Sequence, residues 1–178
     1  MPGKVIRMTT QLIELAGTIR EQVRRGLPAA QTAELVEDAL KPFLTAPDLL
    51  SPVQRVGDPD HYRQHVLHVE PDGSFSIVAL VWLPGQQTPV HDHISWCVTG
   101  VHEGVEHEQR YVLREGDLVP AEQTTNHPGE VCGFAPPGDI HLVRNAGSVK
   151  AISIHVYGAD IAVLGSSVRR CYELGATA

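Results

Sequence analysis

Residues Gly85–Gly104, GQQTPVHDHISWCVTGVHEG, place His91 and His93 one residue apart in a run that reads as a β-strand entered from a proline-containing turn. In a strand the side chains at i and i+2 leave the same face, roughly 6.5–7 Å apart at the backbone. Two imidazoles so spaced can converge on one ion. Gly85 and Gly104 bracket the segment where tight turns are needed. Two further stretches extend the pattern. Pro136-Pro137-Gly138-Asp139-Ile140-His141 offers a third histidine just after a turn, and Ser153-Ile154-His155-Val156-Tyr157 puts three polar side chains on one strand face and two apolar ones on the other. The three stretches are expected to build one metal site.

Composition bounds the rest. The chain has 178 residues, 42% hydrophobic and 20% charged, which suits one globular domain with a real core. Fourteen basic and 21 acidic residues leave a formal charge of −7, so neither nucleic acid nor an anionic membrane is the expected partner. No apolar run approaches membrane-spanning length, and MPGKVIRMTTQ lacks the apolar core of a signal peptide. Cys97, Cys132 and Cys171 form no CxxC pair, which argues against a disulfide framework and for a reducing, cytoplasmic setting. Of the ten histidines, His61, His65, His102, His107 and His127 are expected at the surface.

Taken in order, residues 9–25 carry apolar positions at helical spacing (Leu12, Ile13, Leu15, Ala16, Ile19, Val23), and Gly26 ends them. A second amphipathic helix opens at Leu27-Pro28 and ends near Pro42. Residues 45–59 read as a linker. Strands are expected near Tyr62–Val69, Phe75–Leu83, His93–Val101, Val105–Leu113, Asp117–Val119, Glu130–Ala135, His141–Arg144 and Ala151–Tyr157. Residues Ser166–Leu174 read as a short helix. The expected organisation is an N-terminal helical segment with its linker over 1–58, an all-β barrel over 59–160 and a tail over 161–178, within one structural domain.

The spacing Gly85-x5-His91-x-His93-x3-Cys97-x6-Gly104 resembles the first cupin motif, with Cys97 where most cupins carry a metal-binding glutamate. Pro136-x-Gly138-x2-His141-x3-Asn145 resembles the second. The resemblance implies a cupin barrel, a jelly-roll-like double-stranded β-helix, here with two N-terminal α-helices. With the glutamate gone the donor set is three neutral imidazoles, which suits iron(II) and also zinc(II). Adding Ser153-x-His155-x-Tyr157, residues 59–160 resemble the cysteine dioxygenase family of thiol dioxygenases.

That resemblance implies an Fe(II) cofactor held by His91, His93 and His141. It implies a catalytic relay of Ser153, His155 and Tyr157, a small thiol and O2 as partners, and a sulfinate as product. Gln64, in Tyr62-Arg63-Gln64, stands where the cysteine-specific branch has an arginine, so the chain resembles the bacterial 3-mercaptopropionate branch. Gln64 and Tyr157 are then expected to bind the substrate carboxylate, with 3-mercaptopropionate preferred and cysteine second. Arg63 is expected to point away from the site by strand alternation, and His68 to share the face of Gln64. Cys97 departs from the glycine typical of that branch. A cysteine near this place in the eukaryotic enzymes forms a thioether with the relay tyrosine, which makes Cys97–Tyr157 a candidate cross-link. A cupin that binds a ligand or metal without turnover, and a zinc-dependent isomerase or lyase, are the competing readings.

Overall fold

The computed structural model describes residues 8–173. Two amphipathic helices come first, α1 (Thr10–Val23) and α2 (Ala29–Leu40). The hydroxyl of Thr9 caps α1 by accepting the Leu12 N–H at 3.1 Å. Gly26, at φ +63°, ends the turn between them.

The strands follow as β1 (Arg63–Val69), β2 (Ser76–Trp82), β3 (Val90–His93), β4 (Cys97–Glu103), β5 (Glu106–Arg114), β6 (Asp117–Asn126), β7 (Val131–Phe134), β8 (His141–Arg144) and β9 (Ala151–Tyr157). A short helix α3 (Ile161–Leu164) leads to β10 (Val168–Tyr172). They pair antiparallel into two five-stranded sheets, β1-β2-β9-β4-β7 and β10-β3-β8-β5-β6. The architecture is the cupin double-stranded β-helix.

The period of two in β2 and β9 organises both cores. Ile152, Ile154 and Val156 of β9, with Ile77, Ala79 and Val81 of β2, face outward and pack with Leu12, Leu15, Ile19, Val36 and Leu40 of the helices. Val78, Leu80, Trp82, Cys97 and Tyr157 face inward and form a second core inside the barrel. Every residue of β2 and β9 is therefore buried. The approach is close: a Cβ on Gly100 of β4 would lie 2.5 Å from Leu44 Cδ1.

Several sequence expectations change. His93 and Cys97 do not share a strand; the chain breaks at Ile94-Ser95-Trp96 and crosses from one sheet to the other, which a continuous run of strand-forming residues does not signal. β6 extends to Asn126, well past Val119, because this polar edge strand pairs with β5 while burying little. The helix expected over Ser166–Leu174 is strand β10, paired with β3, so the second sheet runs beyond residue 160; Leu174 itself lies outside the described residues. His68 leaves the face of Gln64, because the register shifts between Val66 and His68: Gln64 pairs with inward Leu80, His68 with outward Ile77. His102 is half-buried rather than a free surface group, and its Nδ1 meets the Leu44 carbonyl at 2.6 Å.

β10 is latched by one carboxylate. Asp92 sits between the two histidines of β3 but on the opposite face, fully buried. It accepts hydrogen bonds from Arg169 Nη2 at 2.5 Å, Arg170 Nη2 at 2.8 Å and the Tyr172 hydroxyl at 2.7 Å. Burial alone would raise its pKa, but the bonds from Arg169, Arg170 and Tyr172 outweigh it and hold the carboxyl well below its ordinary value. The stabilisation is present above the ordinary carboxylate pKa of 3.8 and is lost as the pH falls below it. Asp92→Asn is expected to lower Tm by several degrees at neutral pH, with the gap to wild type closing as thermal melts are moved below about pH 4. A pH-independent gap, or none, would mean that the latch does not stabilise through its charge.

Candidate metal centre and substrate cleft

β3 and β8 pair so that His91 and His141 are direct partners, and His93 follows two residues on from His91 on the same face. The three rings meet inside the barrel with centroids 4.7–5.0 Å apart, and one ligand atom from each lies within 4.8 Å of the others. All three residues are buried. Burial, with His141 and His93 close by, pushes His91 down to about 3; burial also lowers His93, against the pull of Asp139. Both are thus neutral at physiological pH, which a metal ligand requires.

The far nitrogen of each ring is already engaged. His91 Nδ1 meets the Pro89 carbonyl at 3.0 Å, His93 Nδ1 meets Asp139 Oδ2 at 3.1 Å, and His141 Nδ1 meets Glu108 Oε1 at 2.7 Å. In each case the partner is an acceptor, so Nδ1 carries the proton and Nε2 is left with its lone pair. Three Nε2 atoms on one face of a buried cavity fit a divalent first-row ion and leave its other positions open. Burial would raise the pKa of Glu108, but the bond from His141 and the charge of Arg110 outweigh it and keep the carboxylate ionised. Arg110 lies 3.3 Å from Glu108 Oε1 and rests over the Phe134 ring.

A cleft opens onto these rings. Its walls include Tyr62, Gln64, Leu80, Trp82, Val143 and Tyr157, with Ser166, Ser167 and Val168 supplied by the segment that the Asp92 latch holds. Among the described residues, no lysine or arginine lines the cleft. Gln64 sits at the exposed rim, its amide donating to the Gly165 carbonyl at 3.3 Å. Arg63 stays off the cleft, opposite outward-facing Val81, because the register shift in β1 comes only after it.

The inward side of β9 carries the polar triplet. Ser153 Oγ lies 2.8 Å from His155 Nε2, and the Tyr157 hydroxyl lies 3.0 Å from His155 Nδ1. The Trp82 indole donates to Ser153 at 3.0 Å. Burial, reinforced by the neighbouring His141, His93 and His91, drives His155 well below its ordinary pKa, and burial raises Tyr157. Cys97 of β4 is the direct register partner of Tyr157, and both are buried in the inner core.

Sequence reasoning did not find Asp139, Glu108, Asp92 or Glu106. Two signals were available: Asp139 stands two residues before His141, and Glu106 and Glu108 alternate on one strand face. Asp92 and its arginines are far apart in sequence and only the fold joins them.

The sequence model of the family described as cysteine dioxygenase type I matches residues 5–163. Among solved structures, the chain is similar to TT1209 from Thermus thermophilus, with 24% identity, covering 62% of this chain and 96% of that one at a TM-score of 0.47. It is similar to a cupin 2 conserved barrel domain protein from Salinispora arenicola, with 21% identity, covering 65% and 89% at 0.44. A double-stranded β-helix domain protein from Klebsiella pneumoniae shares 21% identity, over 62% and 89%, at 0.44. These likenesses are ones of fold.

The hydrogen bonds behind the rings generate a test. Glu108→Gln replaces a charged acceptor by a neutral one and is expected to weaken metal binding by about tenfold or more, read by competition with a chelator. Unchanged affinity would mean that Glu108 does not act through His141.

Proposed function

Because the chain belongs to the cysteine dioxygenase type I family, we propose that its three-histidine cleft is the active site of an Fe(II)-dependent thiol dioxygenase acting on a small mercapto-carboxylate, with 3-mercaptopropionate preferred over cysteine. The observation that carries this reading is a single cleft in which three free Nε2 atoms face a tyrosine hydroxyl tied to a buried histidine and serine. The reaction adds both atoms of O2 to the thiol sulfur and yields the sulfinate. Held by His91, His93 and His141, iron(II) would supply the redox chemistry of that addition.

The chain's own residues bind and orient. The thiol end enters between Leu80, Val143 and the imidazoles, where apolar walls exclude water. The carboxylate end meets neutral donors, the Gln64 amide at the rim and the Tyr157 hydroxyl within. His155 fixes the Tyr157 hydroxyl, and Ser153 with Trp82 fixes His155. The absence of a cation among the described lining residues favours a substrate that does not depend on a charged clamp. Cysteine, which also carries an amine, gains most from such a clamp; 3-mercaptopropionate loses nothing without it. No helix among the described residues is long and apolar enough to cross a membrane.

A neutral amide gives a carboxylate roughly 0.5–1.5 kcal/mol, and a bidentate arginine about twice that. Wild type is expected to show a kcat/KM for 3-mercaptopropionate about tenfold or more above that for cysteine, equivalent to roughly 1.4 kcal/mol. Gln64→Arg is expected to narrow or reverse the ratio in steady-state oxygen uptake. Wild-type preference for cysteine, or a ratio untouched by the substitution, overturns the role of Gln64.

The register of Cys97 against Tyr157 supports a thioether between them, formed with loss of one thiol and one ring hydrogen to O2 as oxidant. Intact-mass spectra after prolonged aerobic turnover are expected to show a fraction lighter by those two hydrogens. A single unmodified species would leave Cys97 as a packing residue.

A further inference from the structure

Inside the barrel, beyond the relay serine, lies a carboxyl group that the proposed reaction does not use. Glu106 of β5 is buried, and among the described residues its Oε2 meets no hydrogen-bond partner. The Ser153 hydroxyl stands beside its carboxyl. The other titratable groups that face it are Glu108 on its own strand, Cys97 on β4 and Tyr157 on β9. None of them is a cation, so nothing nearby balances a charge on Glu106. Burial, with the charge of Glu108 adding to it and the Ser153 bond opposing, raises the carboxyl to about 7.

The proton count at Ser153 gives this placement a consequence. The hydroxyl has one proton to donate and two lone pairs. The Trp82 indole, which can only donate, takes one lone pair at 3.0 Å. One proton and one lone pair remain: His155 Nε2 takes one of them at 2.8 Å, and the other is left to face Glu106. If Glu106 donates, Ser153 must give its proton to His155 Nε2. A neutral His155 then carries its proton on Nδ1 and donates it to the Tyr157 oxygen at 3.0 Å, leaving the tyrosine O–H free to donate into the cleft. If Glu106 accepts, every bond reverses, His155 carries its proton on Nε2, and the Tyr157 O–H points back at Nδ1.

We propose that Glu106 is a fourth, positioning member of the relay, whose protonation state sets the direction of the hydrogen bonds through Ser153 and His155 and so decides whether Tyr157 offers a donor to the substrate. In the neutral state Tyr157 offers that donor; in the ionised state it withholds it. The consequence for turnover rests on the reading of this cleft as a thiol dioxygenase site, but the direction of the bonds does not.

The test reads the bonds first. Full-length protein loaded with diamagnetic zinc(II) is followed by 15N NMR of the histidine rings, with the His155 signals assigned by their loss in His155→Asn. In wild type the His155 proton is expected on Nδ1 below about pH 6 and on Nε2 above about pH 8, following the raised Glu pKa. Glu106→Gln, whose amide donates at every pH, is expected to hold it on Nδ1 throughout, and Ser153→Ala to uncouple it from pH. With the iron(II)-loaded protein, the ratio of wild-type to Glu106→Gln kcat/KM is expected to fall about tenfold between pH 6 and pH 8.5, as one donor to a charged group is withdrawn. A wild-type tautomer that does not change with pH overturns the proposal without need of any variant. So does a Glu106→Gln protein that switches as wild type does. A tautomer that follows pH in a protein that oxidises no thiol upholds the inference and sinks the functional reading alone.

Discussion

A β-strand sends alternate side chains to opposite faces, and on β9 that alternation separates two incompatible environments at one-residue intervals. Ile152, Ile154 and Val156 enter the apolar layer under the N-terminal helices, while Ser153, His155 and Tyr157 enter the barrel. Because both faces are covered, the polar triplet is out of water and must satisfy its own hydrogen bonds, which is what makes it a defined chain. A shift by one residue would place three polar groups in the helix interface and three aliphatic groups at the site. The helices therefore serve the site at a distance: by covering the outer sheet face they hold the register on which the triplet depends.

The electrostatics of the interior follow a consistent scheme. The three imidazoles that face the cleft orient their lone pairs inward because acceptors stand behind them. Those behind His93 and His141 are the carboxylates of Asp139 and Glu108. A cation held by the three rings would thus gain from negative charge one layer back without a carboxylate in direct contact. Arg110 meets the same Glu108 oxygen as His141, at 3.3 Å. Asp92, on the reverse face of β3, engages Arg169 and Arg170 and so holds those two guanidinium groups away from the cleft.

Much of this was legible before folding was considered. The residues of β8 and β9 were expected as they stand, since Pro-Gly turns bound the one and strict alternation marks the other. The gathering of His91, His93 and His141 followed from strand spacing plus the resemblance. What escaped had a physical reason each time. The break between His93 and Cys97 escaped because Ile94 and Trp96 favour strands on either side of a sheet crossing. β10 escaped because its partners, Asp92 and the β3 backbone, lie some 77 residues away in sequence. His68 escaped because a bulge inverts strand parity without leaving a residue-level mark. The alternation of Glu106 and Glu108 does not by itself tell a buried strand face from a solvated one, and only burial shows one as an acceptor behind a ligand and the other as a carboxyl without a counter-charge.

The central claim is that the three-histidine cleft carries out dioxygen chemistry on a thiol rather than merely binding a metal or ligand. The most direct measurement is turnover of 3-mercaptopropionate by iron(II)-loaded protein under 18O2, with the product analysed by mass spectrometry and oxygen followed by electrode. The account predicts one O2 consumed per thiol and a sulfinate carrying both labelled atoms. Disulfide as the product, a single labelled atom, or no oxygen uptake with iron bound would contradict it.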